Sequence, residues 1–153
     1  MDGGKIADYA SCRVEVTEGE WAGWFWHPGG DPFEDLAGPF YYRVAEDGRP
    51  ICAFRAEEKH MNGQGFMHGG CVMAFADFSL FIIARDVLVD AYGVTATFNG
   101  EFIGPARPGD LVECTGEVVK AGRSLVFVRG TIANGGEPMM SFSAVLKKTS
   151  PRA

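Results

Sequence analysis

The run Cys71-Val72-Met73-Ala74-Phe75-Ala76-Asp77-Phe78-Ser79-Leu80-Phe81-Ile82-Ile83-Ala84 constrains the fold more than any other part of the chain. It reads as a helix that is apolar on every face, so it offers water no polar stripe and is expected to be buried. One carboxylate, Asp77, stands inside it. A buried carboxylate costs several kcal/mol unless it is paired, hydrogen-bonded or neutralised. Folding does not ask for that cost, which marks Asp77 as a candidate functional group.

The preceding stretch, Asn62-Gly63-Gln64-Gly65-Phe66-Met67-His68-Gly69-Gly70, is a glycine-punctuated polar loop that opens this helix. Gly69 and Gly70 leave the first backbone N–H groups open to close approach. Those donors have no partner within the helix and sit at the positive end of its dipole. They can polarise a carbonyl and hold an oxyanion, worth roughly 2.7–4 kcal/mol per donor. Asp77 lies eight residues past Gly69, about 12 Å along the helix axis. One chain therefore cannot bring both groups to one carbonyl, and cooperation calls for the Asp77 of a neighbouring copy.

His68 could be a base, a leaving-group contact, or a loop histidine bonded to backbone. No carboxylate lies at a nearby spacing to orient it as a base, which favours a positioning role. His60, His68 and Asp77 lack a metal-ligand spacing and the four cysteines are scattered, so no metal is expected. G-x-S-x-G and Walker-type loops are absent. Glu57, Glu58, Asp110 and Glu113 sit at polar strand ends and read as a solvated face.

Around the helix the chain alternates in β fashion. Phe40 to Ala45 and Ile51 to Glu57 are joined at the Asp47-Gly48 turn. The helix is expected over about residues 69–89. Four further strands follow: Val94 to Ile103, Leu111 to Val119, Leu125 to Ala133 and Met139 to Lys148, with Gly- and Pro-bearing turns between them. Five or six antiparallel strands need one face covered, and this helix is the one candidate to cover it. The expected class is α+β, a curved antiparallel sheet wrapped around one long helix, in a single domain spanning 1–153. One helix covers a wide sheet poorly, so sheet edges or faces are expected to be buried between subunits. Residues 1–39 form an aromatic-rich extension. There Thr17-Glu18-Gly19-Glu20 fits a capping box and Trp21, Trp24 and Phe25 fall at helical spacing. Phe33 to Leu36 fits a short turn. The extension either staples its aromatics onto the sheet or forms a wall over an acyl-binding pocket.

Composition bounds the function. A net charge of −6 with no basic run argues against nucleic acid. The four cysteines form no C-x-x-C pair and read as reduced thiols of a cytoplasmic protein. The N-terminus has no apolar signal region, and the apolar helix is shorter than a membrane span.

Taken together, these residues resemble the hotdog-fold acyl-CoA thioesterases of the phenylacetate-pathway (PaaI-like) type. Asn62, Gly65, His68-Gly69-Gly70 and Asp77 follow the pattern N-x-x-G-x-x-H-G-G-x(7)-D. Thr95 stands where many members carry Ser or Thr. Phe102-Ile103-Gly104-Pro105-Ala106 through Gly109-Asp110 resembles the family's strand-to-turn segment, and Gly122-Arg123-Ser124 its later Gly-Arg segment. The similarity spans roughly residues 33–148 and does not extend to the Trp21–Trp26 cluster. It implies a helix wrapped by a curved sheet, dimers and often homotetramers, and a site between subunits. By resemblance, Asp77 is nucleophile or general base. The Gly69 N–H of the other subunit polarises the thioester carbonyl, with Gly70 beside it. Asn62 orients water or substrate, His68 contacts the thioester or leaving thiol, and Thr95 helps hold the water. No cofactor is implied, CoA being part of substrate and product. A nucleotide-tailed thioester brings phosphates to an acidic protein, and Arg123 beside Ser124, then Arg107, are the cations chosen to receive them. Two other readings stand beside hydrolysis: a hydratase or dehydratase of hydroxyacyl thioesters, whose Phe- and Pro-rich histidine loop is missing, and a non-catalytic acyl-CoA-binding protein.

Overall fold

The structure, a computed structural model, describes residues 9–150. A 3-10 turn at Tyr9–Cys12 leads into the short strands β1 (Val14–Glu15) and β2 (Phe25–Trp26) and the helix α1 (Pro32–Ala37). β3 (Tyr41–Val44) and β4 (Pro50–Arg55) precede the central helix α2 (Gly69–Ala84). β5 (Tyr92–Phe102), β6 (Leu111–Ala121), β7 (Leu125–Asn134) and β8 (Glu137–Thr149) complete one antiparallel sheet, in the order β1-β2-β3-β4-β6-β7-β8-β5. The helix-on-curved-sheet architecture is the one the sequence implies.

The core lies between α2 and the inner face of the sheet. Phe75 and Leu80 of α2 meet Phe54, Val112, Val128, Ile132, Met140 and Leu146 of the strands, all fully buried. Helix and sheet touch most closely where the strands are bare. A Cβ added at Gly116 would fall 2.7 Å from Ile83 Cδ1 of α2, while one at Gly130 would meet the neighbouring strand β8, 2.5 Å from Phe142 Cζ. Cys52 and Cys114 face each other across β4 and β6 as free, buried thiols. Burial pushes both thiols up, Cys114 to about 12, so they are packing groups rather than nucleophiles.

Three expectations need correction. α2 is not buried on every face: Gly70, Met73 and Asp77 are exposed along one stripe. The sheet wraps only the opposite side, so Asp77 is not the buried carboxylate that the apolar run suggests. The helix also stops at Ala84 and tightens into a 3-10 turn at Arg85–Val87 instead of running on to residue 89. Residues 17–25 form no helix. Gly19 and Gly23 take φ of +76° and +83°, and the segment turns from β1 back into β2. Trp21 lies in the connecting turn and Trp24 and Phe25 on the return arm, so their spacing does not mark a helical face. The true helix is α1, capped by Asp31, whose Oδ1 accepts the N–H groups of Phe33 and Glu34, with Pro32 in the first turn.

Candidate active site

Asp77 gains a partner through a kink in β5. Phe98 and Phe102 point toward α2, Phe98 against the core and Phe102 against Gly69. Strict alternation would then put Thr95 on the outer face. A bulge between Thr95 and Thr97 adds one residue to the count and turns Thr95 inward. Its Oγ1–H donates to Asp77 Oδ1 at 2.6 Å. This short bond orients the carboxylate and engages one of its two oxygens.

The loop before α2 is held by its own backbone. His68 N–H donates to the His60 carbonyl, and Met67 N–H to the Ala106 carbonyl. His60 is buried: its Nδ1 accepts the Glu57 N–H and its Nε2 bonds the Ala37 carbonyl, tying the loop to the end of α1. Asn62 Oδ1 accepts the N–H groups of Gln64 and Phe66, so the side-chain carbonyl shapes the turn. His68 is the N-cap of α2, and its Nδ1 accepts the Gly70 N–H at 2.9 Å. That contact places the neutral ring's proton on Nε2 and spends the Gly70 donor. The Gly69 N–H takes no acceptor among the described residues, and a Cβ at Gly69 would stand 3.2 Å from the Phe102 ring. Gly69 thus presents the open donor under an exposed aromatic.

A cavity of about 830 Å³ opens beside Asp77. The helix gives it Phe81 and Ile82, and the segment after the helix gives it Arg85, Leu88 and Val89. The opposite wall comes from the N-terminal segment: Tyr9, Arg13, His27, Asp31 and Glu34. The extension both packs its aromatics on the sheet and lines one side of this cavity. Trp21 stacks on Tyr41 at 4.4 Å and Phe25 packs on Tyr42, stapling it to the sheet, while Tyr9, His27 and Glu34 build the wall. His27 lies stacked against Tyr9 at 4.1 Å and Tyr42 at 5.6 Å, and its Nδ1 is buried without a hydrogen bond. Burial, with Arg13 nearby, lowers His27 to about 4. Burial raises Glu34 to about 7; the Tyr9 hydroxyl bond works against that shift, and the charges of Asp31, Asp77 and Asp35 add to it.

Within one chain the predicted residues fall into two groups. Asp77 and Thr95 belong to the cavity side. Asn62, His68, Gly69 and Gly70 gather at the start of α2, joined by Arg107, whose guanidinium lies 4.3 Å over the Phe66 ring. Arg123 and Ser124 form the β6–β7 turn, beside Lys148 at the far end of the sheet from Arg107. Tyr9, His27 and Glu34 carried no signal in the sequence. The Asp31-Pro32 cap could have announced α1, but nothing local says that Glu34 faces α2.

The family model of the thioesterase superfamily matches residues 64–140, just over half of the chain. The chain belongs to the thioesterase superfamily. A Pseudomonas aeruginosa protein, named for an inferred esterase activity, is 33% identical over 115 residues, which is 74% of this chain and 86% of that protein. Human acyl-coenzyme A thioesterase 13 is 29% identical over 102 residues, covering 67% of this chain and 73% of its own length. Among solved structures, the PaaI protein of the Escherichia coli phenylacetic acid degradation operon superposes with a TM-score of 0.68 at 17% identity, over 78% of this chain and 86% of that one. That likeness shows a shared hotdog fold. The enzyme class is thioester hydrolase, and His68, Gly69, Gly70, Asp77 and Thr95 of the predicted site fall inside the matched region, with Asn62 just before it.

Proposed function

We propose that this thioesterase hydrolyses acyl-CoA thioesters to free acid and CoA at a site completed by two copies of the chain. The observation that carries this reading is Asp77: a carboxylate oriented by Thr95 on the uncovered stripe of α2, at the edge of a cavity large enough for an acyl group. Named relatives that act on acyl-CoA support the substrate class.

Asp77 takes a proton from a water molecule whose oxygen adds to the thioester carbonyl carbon, or Asp77 adds to that carbon itself and water then hydrolyses the resulting acyl anhydride. The Gly69 N–H of a second copy receives the developing oxyanion. The carbon–sulfur bond then breaks and CoA leaves with a proton. The amide of Asn62 and the Nε2–H of His68 are the polar groups placed to contact water and the thioester sulfur. The case for two copies rests on surface as well as on spacing. β5 is an eleven-residue strand at the sheet edge, a template for pairing with another chain. Met73 on α2 and Phe102 on β5 are large apolar groups, 45% and 58% exposed, on the same side of the molecule as Asp77. A homodimer built through this face follows from the reading; a tetramer of such dimers is what the family resemblance implies. Arg107 packs over Phe66, in the loop that leads into α2, and is a better candidate for the CoA phosphates than Arg123.

An acyl-CoA panel with free-thiol detection, on wild type and Asp77→Asn, tests the proposal. Hydrolysis by wild type and a kcat at least about 100-fold lower in the variant are expected, the low end for loss of a general base. Equal turnover by both would remove Asp77 from the mechanism.

A further inference from the structure

Glu34 is a second ionisable group in the wall of the Asp77 cavity, and the reaction as described does not use it. Its Oε2 accepts the Tyr9 hydroxyl at 3.0 Å. Its Oε1 takes no hydrogen bond among the described residues, although Glu34 lines the cavity. Across from it stand hydrocarbon groups: Phe81, Ile82, Leu88 and Val89. A plain hydrocarbon acyl group entering this space would strip water from the free carboxyl oxygen and return nothing. A site built around a polar group discriminates strongly against a ligand that leaves it unpaired.

We propose that Glu34 is a specificity-determining residue, oriented by Tyr9, that selects acyl groups carrying a hydroxyl over plain hydrocarbon chains. The assignment rests on the acyl-CoA reading above and names the kind of acyl group it takes. The residue lies outside the 64–140 match, on the segment where the chain departs from the family resemblance. The hydroxyl bonds Oε1 in either protonation state, accepting from the neutral acid or donating to the carboxylate. The second arrangement is the stronger, being charge-assisted. The groups that face Glu34 are Tyr9, Arg13 and His27 of the N-terminal segment, Asp31 and Asp35 around α1, Tyr42 of β3, Asp77 of α2, and Arg85, Asp90 and Tyr92 beyond it. His27, lowered to about 4, stays neutral from pH 6 upward. Glu34, raised to about 7, is the cavity group that changes charge near neutrality.

The test measures kcat/KM for hexanoyl-CoA against its 3-hydroxy and 6-hydroxy forms, from pH 6 to 8.5, in wild type, Glu34→Gln and Glu34→Leu. Wild type is expected to favour at least one hydroxylated thioester by about 10-fold, with the ratio rising as pH passes 7. Glu34→Gln, which keeps size and hydrogen bonding, is expected to hold a pH-independent preference. Glu34→Leu is expected to lose the preference, mainly through a higher KM for the hydroxylated substrate. The Gln variant keeps the test decisive if the Leu variant does not fold. A pH-dependent ratio that is the same in wild type and Glu34→Gln, or no preference in wild type, overturns the assignment while leaving hydrolysis intact. Failure of wild type to cleave any of the three thioesters would instead count against the acyl-CoA reading.

Discussion

At the scale of single residues, the site combines one exposed carboxylate with one half-buried carboxylate, and their surroundings give them different work. Asp77 is oriented by Thr95 and faces the open stripe of α2. Thr95→Val removes the orienting hydroxyl but keeps the shape. It is expected to lower kcat by about 10-fold, less than the roughly 100-fold of Asp77→Asn, because the base is still present; steady-state kinetics on both variants gives the comparison. Glu34 has a consequence for stability. Its unfolded pKa is the ordinary 4.5 and its folded value about 7, so the folded state holds the proton more tightly. Its contribution is fully present below pH 4.5 and is lost as pH rises through 7. Wild type should therefore lose thermal stability relative to Glu34→Gln between pH 5 and 8. His27 runs the other way, its contribution being present above pH 6.5 and lost as pH falls through 4. Parallel melting curves of wild type and Glu34→Gln over pH 5–8 would show that Glu34 does not titrate as the fold requires. For Arg107, removal of the side chain is expected to raise KM for acyl-CoA several-fold with kcat little changed, the pattern of lost uniform binding. An equal loss on a short thioester without the nucleotide would make the residue structural.

At the scale of elements, α2 and β5 carry the argument. The exposed stripe of α2 is apolar apart from Asp77, so Met73→Lys should cost the isolated chain little while opposing burial against a second copy. Light scattering is expected to show a shift toward monomer, with acyl-CoA hydrolysis falling in step; an unchanged dimer would place the interface elsewhere. The strands from β3 to β8 and the start of α2 were legible in the sequence because period-two alternation and Gly/Pro turns are local signals. The spacing from Asn62 to Asp77 was legible for the same reason: it lies in one loop and one helix. What failed was anything decided at long range. The bulge that brings Thr95 to Asp77 leaves no mark in composition, and the resemblance alone pointed to Thr95. The hairpin at residues 14–26 imitates helical spacing because Trp21 sits in its turn while Trp24 and Phe25 begin the return arm. The open stripe of α2 could not be read either, since Gly, Met and Ala look alike whether they meet a sheet or another subunit. Glu34 reaches α2 only because α1 docks there.

At the scale of the whole molecule, the chain presents two incomplete sites: a carboxylate beside a cavity, and an open helix-start donor beside a cationic loop. The helix that carries both holds them about 12 Å apart. A two-fold dimer, in which each copy lends the half that the other lacks, reconciles them. This is the central claim, and subunit exchange tests it most directly. Asp77→Asn removes the carboxylate. Gly69→Pro removes the donor at the first helical position, where proline is tolerated and the preceding His68 already has an extended backbone, φ −65° and ψ 135°. Each variant alone should be nearly inactive. After mixing in equal amounts and exchange, half of the dimers are hybrids with one intact site each, so activity is expected to recover to about a quarter of wild type. Two folded, exchanging variants whose mixture is no more active than its parents would show that each site is built within a single chain.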